Sequence, residues 1–296
     1  MRAAAIFGPG CSSQNLRPFQ ANSESHWTIG LPAESDEADA ILVFGGDGTV
    51  HRHLPELVKL QLPVLVVPSG SGNDFARALK LRRIRNSLAA WCKFSCGGKN
   101  VRGIDLGLIT PLIAGCNAGE APAPHQNHLF CCVAGIGLDA EIALRANSLP
   151  RWLRAHGGYA FSLLPALLKF APVATMISMA NGEAFVPAPM KRIIVTAFAN
   201  APTYGGGMKI APQAHLDDGL LDVCVVQNMN KVKLFCLFPT IYFGRHLSIP
   251  QVEYSQTERL RVETDHPNDV YADGEYVCRT PIEVAVVRKA LRVIVP

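Results

Sequence analysis

The chain has 296 residues, 49% of them hydrophobic and 18% charged, which is enough apolar material for a large core and two domains and too much for a disordered chain. Its net charge of +4 suits an anionic substrate or lipid surface, and with no dense Lys/Arg tract interleaved with aromatics it argues against nucleic acid. The nine cysteines are odd in number and form no CxxC pair, which counts against a zinc site or a disulfide framework and fits reduced thiols in a cytosolic protein.

In chain order, Met1-Arg2-Ala3-Ala4-Ala5-Ile6-Phe7-Gly8 has too short an apolar run for a secretory signal and reads as a first strand. Residues 9–36 are polar and turn-rich, so any helix there is short. Ala40-Ile41-Leu42-Val43-Phe44 is the right length for a buried strand. Gly45-Gly46-Asp47-Gly48-Thr49 follows. Val50, Leu54, Leu57 and Val58 then keep a helical period to about Leu60, with Pro55 inside or opening the helix. Pro63-Val64-Leu65-Val66-Val67 completes a βαβ unit, which implies a parallel pair with a right-handed crossover.

A glycine-dense turn between strand and helix is a recurring place to bind phosphate. Glycine lets an anion approach the backbone, and the helix start presents unpaired N–H groups. Asp47 in that turn would repel a bare phosphate, so it points to a metal ion or a proton-accepting role. The pentapeptide alone also reads as a plain tight turn. The second strand runs into another such turn, Pro68-Ser69-Gly70-Ser71-Gly72-Asn73-Asp74-Phe75-Ala76-Arg77, before a helix with Phe75, Leu79 and Leu88 inward. In an open parallel sheet both turns lie at the carboxyl edge, where ligands bind. Neither is a Walker A loop or a Rossmann fingerprint, and no G-x-S-x-G or H-E-x-x-H occurs. Lys80, Arg82, Arg83, Arg85 and Lys93 read as a solvated basic face, with an anionic-membrane contact as the alternative.

After Asp105 the grammar changes. Ile104-Asp105-Leu106-Gly107-Leu108-Ile109 and residues 129–133 are strand-like, 111–128 read as a surface loop and about 140–170 as mostly helical. Phe161 to Ala180 is apolar, but Lys169, Pro165 and Pro172 break it into pieces too short to cross a bilayer. Strands at 173–179, 191–199, 220–226, 258–264 and 282–287, with turns at Asn181-Gly182, Asp218-Gly219 and Asp273-Gly274, predict an antiparallel sandwich or barrel. The predicted architecture is an N-terminal open parallel-sheet α/β domain, residues 1–106, and a C-terminal antiparallel β-sandwich, residues 107–285, with a cleft between them.

Taken in order, the two glycine turns and Ile104-Asp105-Leu106-Gly107 are followed by Val133-Ala134-Gly135-Ile136-Gly137-Leu138-Asp139, Ala197-Phe198-Ala199-Asn200 and Gly205-Gly206-Gly207-Met208. Ile210-Ala211-Pro212, Asp217-Asp218-Gly219-Leu220-Leu221-Asp222 and Asp273-Gly274-Glu275 complete the set. The series resembles the diacylglycerol kinase catalytic family of soluble bacterial lipid kinases, relatives of sphingosine and ceramide kinases, from about Ala38 onward. The first pentapeptide is shared with NAD kinases; the Gly-Ser-Gly-Asn-Asp-Phe-Ala-Arg turn and the terminal Asp-Gly-Glu point to the lipid branch.

The resemblance implies ATP and Mg²⁺ in the cleft, a lipid alcohol entering from the β-rich domain, and a last strand, about 286–296, returning to the first domain. It implies an ATP-dependent kinase acting on the hydroxyl of diacylglycerol or a similar lipid, cytoplasmic and visiting a membrane surface, with a homodimer compatible. By position, Gly45, Gly46, Gly48, Thr49, Ser69, Gly70, Ser71, Gly72 and Asn73 match nucleotide-contacting turns. Asp47, Asp74, Arg77 and Asp105 match a charged network around metal and phosphates, with Asp47 catalytic. Glu275 matches the general base and Asp273 its support. Asp218, with the carbonyls of His215 and Leu220, resembles a structural magnesium position. Two features depart from the family: Gly8 stands where relatives carry asparagine, and His51-Arg52-His53 replaces acidic and apolar residues. An NAD-kinase-like small-molecule kinase and a non-catalytic lipid- or nucleotide-binding descendant are the competing readings.

Overall fold

The computed structural model describes residues 1–70, 72–112, 127–138, 166 and 170–296. They divide into two compact units, Met1–Leu106 with Arg288–Pro296, and Gly107–Val287.

The first unit is a parallel α/β sheet. Its elements are β1 (Arg2–Phe7), α1 (Arg17–Gln20), β2 (His26–Ile29), β3 (Ala40–Gly45), α2 (Asp47–Leu60), β4 (Val64–Pro68), α3 (Asp74–Ala78) and α4 (Ile84–Ser95). The strands lie in the order β4-β3-β1-β2, all parallel, and the C-terminal strand adds alongside β4 through Val293 and Val64. Every residue of β3 and β4 is buried, which explains their unbroken apolar sequence. Helix α2 buries Val50, Leu54, Leu57 and Leu60, each worth about 1.5–3 kcal/mol when fully removed from water. Pro55 lies inside α2, and Gln61 closes the helix in the left-handed region at φ 53°.

Two local expectations change. The single helix predicted after Asn73 is two helices. Lys80, at φ 63°, ends the first, and Asn86 Oδ1 accepts the Arg83 N–H at 3.1 Å to start the second. Leu88 is therefore only half-buried, and Ser87, Ala90 and Trp91 form the inner face of α4. Ser87 donates its hydroxyl to the Val66 carbonyl at 2.8 Å, fixing α4 on β4. The second change is β2, an edge strand in a stretch that reads as loop; Trp27, packed 5.3 Å from Trp91 by ring centroids, holds it.

The second unit is antiparallel. Strand β5 (Val101–Pro111) leads from the first unit into it, followed by β6 (His128–Phe130), β7 (Val133–Gly137), β8 (Val173–Asn181), β9 (Ala184–Val186), β10 (Lys191–Ala199) and β11 (Leu221–Gln227). Then come α5 (Lys231–Leu237), β12 (Val252–Thr257), β13 (Arg259–Thr264), β14 (Asp269–Ala272), β15 (Glu275–Arg279) and β16 (Ile282–Ile294), the C-terminal strand. Strand β7 pairs with β14 and β10, β10 with β11 and β8, and β8 with β13, every pair antiparallel. The β-sandwich closes over a core that includes Phe130, Phe198, Val223, Leu260, Val262 and Val284. Gly107 lies opposite Phe130, whose ring occupies the space a Cβ at 107 would need, so only glycine fits.

The β8–β9 turn is Gly182-Glu183, one residue later than read from sequence, because Asn181 still pairs with Ala184. Residues 231–248, given no helix by the sequence, form α5 and two 3-10 turns, Phe238–Phe243 and Arg245–Ser248. The readings of 111–128 as a loop and 140–170 as helical fall largely outside the described residues. Among the described residues no helix is long and apolar enough to cross a membrane. The eight described cysteines are free thiols.

Candidate active site

In the first unit the two glycine turns are joined backbone to backbone. A Cβ built on Gly46 would lie 2.9 Å from the Gly70 Cα, and one on Gly70 would overlap Gly46. Asn73 locks the second turn: its Oδ1 accepts the Gly70 N–H at 3.1 Å and its Nδ2 donates to the Gly70 carbonyl at 2.8 Å. Ser69 donates its N–H to the Gly45 carbonyl at 3.0 Å. Residue Ser71 falls outside the described residues.

Asp47 joins the two turns. Its Oδ2 accepts the N–H of Asp74 at 2.9 Å and its Oδ1 that of Phe75 at 3.1 Å, so it caps α3 across 27 residues of chain. A side chain on Gly72 would come within 2.9 Å of the same carboxylate. The two helix starts therefore differ. Two α3 amides are used by Asp47, whereas Gly46, the residue before α2, has no side chain to cap that helix. Helix α2 is the end with N–H groups for an anion. Thr49 is buried beneath that start, and its side chain fills the space Cβ atoms at Gly8 and Gly45 would need. Glycine at position 8, the departure from the family pattern, thus fits the threonine beside it.

Asp74 is buried and pairs with the Arg77 guanidinium. Asp105 is also buried, and its Oδ1 accepts the Lys289 N–H at 2.7 Å where the last strand turns through φ 50°. Asp105 therefore pins the C-terminal strand, a partner that sequence could not reveal because it lies 184 residues away.

In the second unit Asp273 and Gly274, at φ 51° and 87°, form the two-residue connection of the β14–β15 hairpin. The Asp273 carboxylate accepts the N–H groups of Cys131 at 2.8 Å, Cys132 at 2.8 Å and Val133 at 3.3 Å. Its own N–H donates to the Val133 carbonyl at 2.9 Å. Asn200 braces the same segment, donating its N–H to Cys132 and its amide to the Cys131 carbonyl at 3.0 Å. Glu275, two residues on, is exposed, and its carboxylate has no hydrogen-bond partner among the described residues. The hairpin thus offers one fixed acid and one open acid.

Asp218 and His215 are exposed; Asp218 Oδ1 accepts the Leu220 N–H at 3.0 Å in a tight turn. No group of three or more His, Cys, Asp and Glu side chains suited to a metal occurs among the described residues. Asp222, at the start of β11, went unassigned from sequence. Burial pushes its pKa up, opposed by hydrogen bonds from Tyr254 and Gln256, which the antiparallel register places beside it. The Cys224 thiol is pushed up to about 12 by burial, so it is no nucleophile. A cavity of about 260 Å³ lined by Ile177, Met179, Ile193 and Val225 lies toward Lys191. Ala199, at the other end of β10, pairs with Val133. The cavity is therefore roughly 20 Å along β10 from the Asp273 hairpin.

With these features in place, comparison with known proteins fixes the class. Residues 17–109 match the diacylglycerol kinase catalytic domain, and residues 132–295 the YegS C-terminal NAD kinase beta sandwich-like domain, so the chain is a kinase. A diacylglycerol kinase of Mycobacterium tuberculosis is 34% identical over 261 residues, covering 87% of this chain and 77% of that protein. The fold is shared with a diacylglycerol kinase from Bacillus anthracis str. Sterne, at a TM-score of 0.68 and 17% identity over 100% of this chain and 97% of that one. An NAD kinase from Archaeoglobus fulgidus in complex with ATP aligns at a TM-score of 0.50 and 14% identity, covering 99% and 93%. The chain belongs to the diacylglycerol kinase catalytic family and is a lipid kinase.

Proposed function

We propose that the chain transfers the γ-phosphoryl group of ATP, bound with Mg²⁺, to the hydroxyl of diacylglycerol or a similar lipid alcohol. The observation that carries this reading is the contrast at the β14–β15 hairpin, where Asp273 is held by three backbone N–H groups while Glu275 is exposed and has no hydrogen-bond partner among the described residues. An open carboxylate on a rigid support suits a general base for an alcohol. Mg²⁺–ATP would supply the phosphoryl group and neutralise charge on it, leaving the protein to position groups.

In this reading the uncapped start of α2, with Gly45, Gly46, Gly48 and Thr49, and the backbone of Ser69, Gly70 and Gly72 cradle phosphate oxygens. Asp47 holds the two turns at one spacing by capping α3, and Asp74 and Arg77 extend that network. The Asp47 carboxylate oxygens are hard donors of the kind a divalent cation's oxygen shell takes. Glu275 accepts the lipid hydroxyl proton, and Asp273 fixes the turn that carries it. Asp218, with the carbonyls of His215 and Leu220, offers oxygen donors for a structural Mg²⁺. The protein would work in the cytoplasm against a membrane.

The test is radiolabelled ATP with diacylglycerol, monoacylglycerol, sphingosine and ceramide in mixed micelles, and NAD as a separate acceptor, with and without Mg²⁺. Labelled phospholipid formed only with Mg²⁺ is the expected result. Transfer to NAD with none to any lipid would replace this reading with the small-molecule one.

A further inference from the structure

The segment from Asn228 to Gln251 carries Lys231, Lys233, Arg245 and His246 and no acidic residue; the nearest acids are Asp222 and Glu253. Within it, α5 turns Leu234 and Phe238 inward onto the cluster of Leu138, Ile194 and Val226. The residues between them in the helical period point away. Val232 is 71% exposed and Phe235 48%, and the following turn exposes Tyr242 at 37% and Phe243 at 72%. These four are among the ten exposed large hydrophobics of the described residues, gathered within twelve positions. Exposed apolar side chains in one run, ringed by exposed Lys231, Lys233 and Arg245, are not explained by packing.

The ridge is also held rigidly. Asn230 caps α5 by accepting the N–H groups of Val232 at 2.8 Å and Lys233 at 3.4 Å. Lys209 donates its N–H to the Ile241 carbonyl at 3.0 Å, and His246 Nε2 bonds the Ile210 carbonyl at 3.1 Å. These bonds tie the ridge to the loop that continues from Asn200, the residue bracing the amides around Asp273.

We propose that residues 231–245 are a docking surface for an anionic lipid bilayer, with Val232, Phe235, Tyr242 and Phe243 entering the headgroup–acyl boundary and Lys231, Lys233 and Arg245 meeting lipid phosphates. The charge of the segment selects this occupant over a second copy of the chain. A copy would bring a segment with no acidic residue of its own, and the same cations, against itself, whereas an anionic surface complements them. Apolar side chains flanked by cations that snorkel to phosphate are the pattern of an interfacial contact. The inference deepens the lipid-kinase reading, on which its purpose rests though its geometry does not.

The test is co-sedimentation of the full chain with phosphatidylcholine vesicles, with and without phosphatidylglycerol, across a salt series. The wild type is expected to bind the anionic vesicles and to release in high salt. Val232→Ser with Phe243→Ser is expected to lower partitioning by about tenfold or more, and Lys231→Gln, Lys233→Gln and Arg245→Gln by about fivefold each. Transfer to a dispersed short-chain diacylglycerol is expected to stay at the wild-type level in all of them, which also reports that they fold. No binding of wild type to anionic vesicles, or equal binding by the variants, overturns the proposal. So does loss of a wild-type dimer in light scattering with vesicle binding unchanged, which would assign the ridge to a second copy. Variant-sensitive vesicle binding by a protein that phosphorylates no lipid would leave the docking surface standing and remove the kinase reading instead.

Discussion

Asp47 in the α/β unit and Asp273 in the β-sandwich sit in glycine turns far apart in sequence, yet both place their carboxylates on backbone N–H groups of another segment. Asp47 receives those of Asp74 and Phe75; Asp273 receives those of Cys131, Cys132 and Val133. Glu275, two positions beyond Asp273, receives none among the described residues. The difference separates two uses of an acid. A carboxylate that satisfies buried amides fixes a loop, and its loss leaves donors without acceptors. A carboxylate facing solvent on the next strand adds little to the fold and is available to a substrate.

The sharpest way to break this comparison is Asp47→Ala. Phosphoryl transfer is expected to fall by about 10³-fold or more, since the two turns lose their spacing and any cation loses a ligand. Two α3 amides would lose their acceptor at about 1–3 kcal/mol each. In a chain of this size that lowers the melting temperature by about 2–4 °C per kcal/mol without unfolding it. Full activity in that variant would remove Asp47 from the site.

Asp273→Asn probes the other side. The amide keeps one acceptor where the carboxylate has two, so stability should drop by about 1.5–3 kcal/mol for each charge-assisted bond lost. Activity should fall by about 10²-fold through displacement of Glu275. A variant with normal melting and lost activity would instead make Asp273 a reacting group.

Gly8→Ala has a smaller effect, confined to the first unit. A methyl there meets the Thr49 side chain and should cost about 1–3 kcal/mol by overpacking. Gly8→Ala combined with Thr49→Ala, which removes the Oγ1 and methyl that the new Cβ meets, should recover part of that loss in a thermal melt.

The smallest effect is a pH dependence. Burial lowers the His246 pKa below its usual 6.5, opposed by the hydrogen bond to Ile210. Because the folded state disfavours the imidazolium, the unfolded chain binds more protons. Stability present above the unfolded pKa is then lost as pH falls below about 6.5 toward the folded value. Melting curves of wild type and His246→Gln should diverge between neutral pH and that lower range, with the wild type losing more.

Much of the fold was legible because burial patterns write themselves into composition. The all-apolar runs 40–44 and 63–67 and the strand at 191–199 stand within a residue of where the sequence places them. The rest was hidden for physical reasons. Residues 231–248 lack a clean helical period because Val232, Phe235, Tyr242 and Phe243 face outward, so the apolar residues do not mark an inner face. The break between α3 and α4 depends on Lys80 adopting positive φ, which its side chain does not announce. The acids of the candidate site were visible as residues in turns, but their partners lie 27 and 28 residues away for Asp47 and 140 to 142 for Asp273. No local pattern reports whether an oxygen faces solvent or an amide.

The most direct measurement is the turnover of Glu275→Gln on a lipid alcohol, taken with its melting temperature. The kcat is expected to fall by about 10²–10⁴-fold while the melting temperature stays at the wild-type value, because the side chain reacts without bracing the fold. Wild-type turnover in that variant, or a melting point lowered as far as that of Asp273→Asn, would contradict it.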